Sequence, residues 1–143
     1  MDNYFVIVSH TRFNEKGQPT HGTASELAPL LEKKGKKYVY IQHSLFTGYA
    51  TQIVQHSSGK NKIIKRGFTF LPFPLRILQE FYLTISSVSR LPSDRVVFVG
   101  IDPLNAFVGI FLKRIGKVQK VIFYTADYAT NRYENHVMNV IYH

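Results

Sequence analysis

The sequence predicts one α/β domain, with a mostly parallel sheet covered by helices in a three-layer arrangement. Strand-length apolar runs alternate with amphipathic helical patterns along the chain. The runs at 4–9 and 96–99 are continuously apolar, which is typical of strands buried on both faces. Strands separated by a helix usually pair in parallel through right-handed crossovers, so this alternation predicts an α/β layer architecture.

A short helix and a second strand follow the first strand. Thr23 and Glu26 have the spacing of a capping box, which predicts a helix starting at Thr23. Gly35 is expected to end this helix. Pro29 lies inside it and predicts a kink, because proline removes one internal hydrogen bond. The second strand is predicted at 38–41.

The segment 49–67 interrupts the alternation of strands and helices. Two strand-like stretches, 52–55 and 62–65, flank a polar turn at 57–60. This pattern predicts an exposed β-hairpin with a loose turn, inserted into the α/β domain.

Two further helices and two strands are predicted in the second half. The first helix follows Pro72 and Pro74, and Asp102 with Pro103 begins the second as N-cap and first helical residue. A strand at 121–124 follows that second helix. The apolar stripes predicted to face the core are Leu75, Leu78, Phe81, Tyr82, Ile85 and Val88, then Leu104, Phe107, Val108, Phe111, Leu112 and Ile115.

Length and composition indicate a single domain, residues 1–143, of cytoplasmic type. The chain is 45% hydrophobic and contains no cysteine, which excludes general disorder, a disulfide scaffold and a thiolate metal site. The start does not resemble a signal peptide, and charged residues within 68–88 argue against a membrane span. The scattered histidines lack metal-ligand spacing, and dinucleotide and phosphate-loop motifs are missing, so neither a metal nor a cofactor is expected.

The chain is strongly basic, with a formal net charge of +9. Its clustered cations attract anionic lipid, nucleic acid or phosphorylated ligands, although they are equally compatible with a solvated surface. Nucleic acid is not the expected partner, because aromatic residues are not interleaved with the basic runs. The three clusters are Lys33, Lys34, Lys36 and Lys37; Lys60, Lys62, Lys65 and Arg66; and Lys113, Arg114, Lys117 and Lys120.

Candidate site residues lie in the loops after three of the predicted strands. Ligands of α/β sheets bind beyond the carboxyl ends of the strands, near the switch in strand order. Asp127 or His10 is the candidate base, and Arg132 or Arg12 the candidate anion clamp. The loops 10–22, 100–105 and 125–132 bring together His10, Thr11, Arg12, Gly22, Asp102, Asn105, Asp127, Tyr128 and Arg132.

Each of these residues also has a structural explanation. Asp102 precedes a proline and is expected to cap a helix. His10 at a strand end is more often a loop anchor than a catalyst. Asp127 can cap the next helix, with Thr130 as the competing cap. Arg132 opposes a helix dipole, so its partner is an anion or a protein carboxylate.

The stretch from Val121 to His143 contains an aromatic strand, the pair Asp127-Tyr128, the pair Arg132-Tyr133 and an Asn-x-x-Tyr helix from Asn139. In these features it resembles the end of the acceptor-side domain in family 4-like glycosyltransferases of the GT-B type. The resemblance implies a Rossmann-like domain that binds a glycan or lipid-linked acceptor for hexosyl transfer from a nucleotide-sugar.

The resemblance also implies roles for individual residues. Asp127 would contact the acceptor or act as the base, with Tyr124 beside it. His10 and Gly22 would line the cleft floor. The helix start that includes Thr23 would face a donor phosphate through its backbone amides.

The family pattern is incomplete in this sequence. The donor domain and its paired glutamates are missing, and the chain stops at His143 inside the amphipathic segment 131–143. We therefore expect a truncated enzyme, a two-chain enzyme or an isolated domain, which is inactive or very weakly active without a donor-domain partner chain. The alternative is a non-catalytic α/β binding module or subunit for a phosphorylated or lipid-linked ligand. Peripheral contact with the inner face of the membrane would use 68–74, unless those aromatics are packing residues.

Overall fold

The described residues form a mixed six-stranded sheet with three α-helices, which is an α/β fold. This computed structural model describes residues 3–20, 24–92 and 95–125. The strands are β1 (Tyr4–Thr11), β2 (Tyr38–Ser44), β3 (Thr51–Ser57), β4 (Lys60–Arg66), β5 (Val96–Gly100) and β6 (Lys120–Phe123), and the helices are α1 (Leu27–Lys33), α2 (Phe73–Val88) and α3 (Pro103–Arg114).

The strand order is β4-β3-β2-β1-β5-β6, with β1 near the centre. The strands β2, β1, β5 and β6 run parallel to their neighbours within this group. The β2–β3 and β3–β4 pairs are antiparallel, so the sheet is mixed. The hairpin expected at 49–67 makes the sheet mixed, because two strands joined by a short turn must run in opposite directions.

The hairpin extends the main sheet and closes through a tight turn. Ser57 pairs with Lys60, which leaves the two-residue turn Ser58-Gly59, with φ of 53° and 74°. Positive φ at both positions matches the right-handed twist of the strands. β3 pairs with β2 along five residues and is largely buried. The prediction of a loose turn was therefore wrong. The prediction that the hairpin is exposed was wrong for β3 but correct for β4, which is mostly exposed.

Two apolar clusters lie on opposite faces of the sheet, because side chains alternate along each strand. One cluster combines Val6 and Val8 of β1 with residues of α2 and α3. The other combines Ile7 of β1 with Tyr40 of β2, and the partly buried Leu31 of α1 packs against it. The two helices that follow the hairpin thus share one face, and α1 lies on the other.

The two longer helices bury only part of the predicted stripes: Val88, Val108 and Leu112 are buried as predicted, and other predicted positions are exposed. Leu78 and Tyr82 of α2 are 64% and 69% exposed. The buried positions of this helix are Glu80, Leu83, Thr84 and Val88. Apolar spacing alone predicted that Leu78 and Tyr82 face the core, because such a pattern does not predict buried polar residues such as Glu80. Leu75, Phe107, Phe111 and Ile115 were also predicted to be core residues and are exposed.

The start of α1 differs from the predicted capping box. The helix begins at Leu27, Glu26 occupies the N-cap position, and no side-chain hydrogen bond caps it within the described residues. Thr23 lies outside those residues. Pro29 falls in the first turn, where backbone N–H groups have no helical partner. The expected loss of a helical hydrogen bond at Pro29 therefore does not occur. Across the described ranges, no helix combines the length and apolarity needed to cross a membrane.

Gly100 allows the first turn of α3 to lie directly against the end of β5. A Cβ atom placed there would lie 2.6 Å from the backbone nitrogen of Ala106 and 2.9 Å from the carbonyl carbon of Asn105. Neither backbone atom can move without shifting the helix. This contact therefore sets the position of the polar residues at the start of α3.

We expect Gly100→Ala to destabilise the protein by about 3 kcal/mol, the upper range for overpacking a tightly packed site. Gly59→Ala is the control, because its Cβ would meet no atom within 4 Å. The control should lose only about 1 kcal/mol, from the left-handed backbone. Urea unfolding measures both variants, and equal losses would contradict the steric explanation.

Candidate functional site

A polar cluster occupies the point where the strand order changes direction. From β1, the chain continues to β2 on one side, and β5 later pairs on the other side. His10 lies near the carboxyl end of β1, and Asp102 follows β5. Ligands of open α/β sheets bind in this crevice between neighbouring strand ends.

His10 bridges two buried carboxylates. Its Nδ1 lies 2.8 Å from Oδ2 of Asp102, and its Nε2 lies 3.0 Å from Oε2 of Glu80. Burial acts to lower the pKa of His10, but the two carboxylates outweigh it and raise this pKa to about 10. His10 is therefore a fixed imidazolium at neutral pH, with both ring N–H groups donated to carboxylates.

Asp102 binds His10 and caps α3 at the same time. Its Oδ1 accepts the backbone N–H of Asn105 at 3.0 Å, and its Oδ2 accepts the Asn105 side-chain amide at 2.7 Å. Burial acts to raise the pKa of Asp102, but His10 and these hydrogen bonds lower it to about 2. The capping interpretation of Asp102 holds, and the cap also shapes the polar cluster.

Glu80 joins α2 to the cluster and was missed by the sequence analysis. Burial acts to raise the pKa of Glu80, yet the hydrogen bond and positive charge of His10 leave it below its usual value. Arg76, one helical turn earlier, places its Nε 3.8 Å from Oε1 of Glu80. The i,i+4 spacing of Arg76 and Glu80 predicts that the two side chains are neighbours on the helix, but it does not indicate that they are buried.

His43 lies beside His10 but carries no charge at neutral pH. The two ring centroids are 5.8 Å apart. Nδ1 of His43 lies 3.0 Å from the hydroxyl of Thr51, and Nε2 lies 2.9 Å from that of Thr84. Burial lowers the pKa of His43 to about 4, with a further lowering contribution from His10. A neutral histidine fits this site because hydroxyl groups can both donate and accept.

A small pocket opens over this cluster, and the Arg76 side chain lines it. The Arg76 guanidinium lies 5.8 Å from the ring centroid of Phe73. Its buried Nε makes no hydrogen bond to any described residue, and its contact with Glu80 is an ion pair without hydrogen-bond geometry. The pocket is lined by His10, Leu45, Phe73, Arg76, Ile77, Glu80 and Leu104.

The structure brings together three of the predicted site residues, His10, Asp102 and Asn105. Tyr124 follows β6 and donates its backbone N–H to the Gly100 carbonyl at 2.9 Å, so it lies at the same edge of the sheet. Five further predicted residues, Gly22, Thr23, Asp127, Tyr128 and Arg132, lie outside the described residues.

The described polar residues of the cluster are hydrogen-bonded mainly to one another. Both ring nitrogens of His10 are engaged, which supports the loop-anchor interpretation, and its role as a base stays a prediction. Arg12 lies over the ring of Phe46 at 5.8 Å. In the described ranges, no group of three or more histidine or carboxylate side chains has the arrangement of a metal site.

We expect His10→Gln to destabilise the protein by about 3 kcal/mol at pH 7, because it leaves buried carboxylates without their cation. The contribution of a raised histidine pKa is complete below about pH 6.5 and is lost as the pH rises through about 10. The difference between wild type and His10→Gln should therefore shrink from pH 7 to pH 10 in urea unfolding.

The double variant His10→Gln/Glu80→Gln distinguishes a loss of charge pairing from a loss of packing. Glu80→Gln should destabilise the wild type but stabilise His10→Gln, because it then removes a buried charge that has lost its hydrogen-bonded cation and keeps only the longer contact with Arg76. A further loss of stability in the double variant would contradict the ion-pair explanation.

Because burial lowers the pKa of His43, we expect the protein to lose stability in mild acid. Its folded-state pKa of about 4 lies below the usual 6.5. Its contribution is therefore complete above about pH 6.5 and is lost as the pH falls towards 4. We expect the stability of the wild type relative to His43→Gln to fall by about 2 kcal/mol between pH 7 and pH 5. A constant difference between the two unfolding curves would refute this assignment.

Comparison with known proteins did not identify a family for the chain. Searches of protein-family models, curated proteins and solved structures gave no significant match.

Proposed function

We propose that the chain is the acceptor-binding, N-terminal domain of a GT-B type glycosyltransferase, acting in a larger or two-chain enzyme. The reaction would transfer a sugar from a nucleotide-sugar to a glycan or lipid-linked acceptor. A donor-binding domain or partner chain would complete the cleft, and the chain alone would be inactive or very weakly active. Peripheral contact with the inner face of the membrane belongs to this proposal.

The observation that carries the proposal is the polar cluster at the switch in strand order. His10, Asp102 and Asn105 come from the carboxyl ends of β1 and β5, where α/β sheets place their ligands. Their mutual hydrogen bonds fix the polar groups before a ligand arrives. Such preorganisation reduces the ordering cost of binding a polar molecule such as a sugar.

The Rossmann-like, three-layer part of the proposal is supported by the placement of the helices. Residues of α1 pack against one apolar cluster, and residues of α2 and α3 against the other. The order β2-β1-β5-β6, all parallel, resembles one half of a doubly wound sheet. The hairpin β3–β4 occupies the edge where another parallel strand would continue such a sheet.

The second candidate function is a non-catalytic binding module for a phosphorylated or lipid-linked ligand. It is favoured by the closed pairing within the cluster, since His10 has both ring nitrogens engaged by Asp102 and Glu80. Arg76 at the pocket would provide the contact to a phosphate. Asp127, the main candidate base, lies outside the described residues.

An NMR titration distinguishes the two functions. The probe is a short-chain prenyl diphosphate carrying one sugar, and the control ligand is the same prenyl diphosphate without sugar. An acceptor domain should show amide shifts after β1 and β5 that require the sugar, because that is where its polar groups converge. The amides of the Ser58-Gly59 turn serve as an internal reference. Equal shifts with both ligands would favour the binding module, and shifts confined to other regions would refute both.

A further inference from the structure

We propose that three exposed phenylalanines and their neighbouring cations form a docking surface for an anionic lipid bilayer. The phenylalanines are Phe46, in the turn after β2, and Phe68 and Phe70, in the segment between β4 and α2. We call these three residues the aromatic rim. The inference rests on the membrane contact included in the proposed function, and it does not depend on sugar transfer.

The aromatic rim is exposed on a backbone that is held in place. Phe46, Phe68 and Phe70 are 54%, 77% and 80% exposed. The interpretation of Phe68 and Phe70 as packing residues was therefore wrong. The Gln79 side chain accepts the N–H of Phe68 at 2.7 Å and donates to its carbonyl at 3.2 Å. The rings thus project into solvent from a fixed segment.

The two parts of the aromatic rim are neighbours in space. The backbone N–H of Gly48 donates to the carbonyl of Thr69 at 2.8 Å. This hydrogen bond joins the turn that carries Phe46 to the segment that carries Phe68 and Phe70. Neighbouring large apolar side chains of this exposure cost free energy in water and indicate an interaction surface.

The charges around the aromatic rim identify the partner as anionic. Arg12 lies over the Phe46 ring, and Lys65 and Arg66 end the strand that leads to Phe68. Between Glu32 and Glu80 the sequence contains no acidic residue. By strand register, Lys65 and Arg66 lie at the end of β4 near Phe68, whereas Lys60 and Lys62 lie towards the opposite edge of the sheet.

Lipid fits this combination better than a protein partner. Lysine is depleted in protein interfaces, whereas aromatic rings flanked by lysine and arginine suit the boundary between headgroups and acyl chains. Each cation near an anionic membrane adds attraction, and each buried ring adds apolar contact. The two contributions make binding dependent on both salt and lipid charge.

The aromatic rim adjoins the pocket above the polar cluster. Leu45 and Phe73 line that pocket, and they are close in sequence to Phe46 and Phe70. A domain docked through the aromatic rim would hold the pocket near the lipid headgroups. A ligand attached to lipid could then reach the pocket without leaving the membrane.

Vesicle co-sedimentation of the full chain tests the apolar contribution. We expect binding to phosphatidylcholine vesicles containing phosphatidylglycerol, and much weaker binding to pure phosphatidylcholine. The variant Phe68→Ser/Phe70→Ser should lower the partition coefficient about tenfold or more. Phe111→Ser is the control, because this 46% exposed ring lies in the second half of α3, towards the opposite edge of the sheet. Its binding should be unchanged.

A matched pair of double variants tests the charge. Lys65→Gln/Arg66→Gln should lower binding about tenfold, whereas Lys113→Gln/Arg114→Gln, at the far end of α3, should change it much less. Thermal unfolding of every variant verifies that it folds. Failure of the wild type to bind anionic vesicles, or equal losses with the control variants, would overturn the proposal. Self-association of the wild type without vesicles that is lost in Phe68→Ser/Phe70→Ser would assign the surface to protein contact and also overturn it.

Discussion

A buried imidazolium joins the elements at the carboxyl edge of the sheet. His10 belongs to β1, Glu80 to α2, and Asp102 to the turn that begins α3. Removing these charges from water is costly, so each is tolerated only while its partners remain in place. The arrangement therefore ties two helices and the central strand to one geometry. It also determines which polar groups face the pocket.

The neighbouring His43 shows how one location can hold two histidines in opposite states. His10 meets carboxylates and is charged, whereas His43 meets the hydroxyls of Thr51 and Thr84 and is neutral. The charge on His10 itself opposes a second charge only 5.8 Å away. Hydrogen-bond partners, rather than burial alone, decide the protonation state here.

The sequence was sufficient to predict the α/β class and the existence of each strand. Apolar runs mark strands wherever both faces of the sheet are covered, as at Val6 and Phe98. The same pattern predicted an end of β2 at residue 41, which was too early. Gln42, His43 and Ser44 are polar, yet they belong to the strand and are buried. His43 bonds to Thr84, 41 residues away along the chain, and a local pattern does not contain such a partner.

Three residues of the candidate site could be predicted from the sequence. His10, Asp102 and Asn105 follow strand ends, and the rule about strand ends brings them together. Glu80 lies 70 residues after His10, in the middle of a helix. Apolar spacing placed Leu78 and Tyr82 on the inner face of this helix, although both are exposed. Recognising Glu80 would have required knowing which helix crosses the end of β1.

The strand β4 has a consequence for how the chain behaves at high concentration. It forms one edge of the sheet and carries Lys60, Lys62 and Lys65. An unprotected edge can recruit the same strand of another molecule and seed aggregation. In such a pairing the lysines of the two copies would be crowded together, and their repulsion disfavours growth from this edge. The cations on β4 thus keep separate molecules apart.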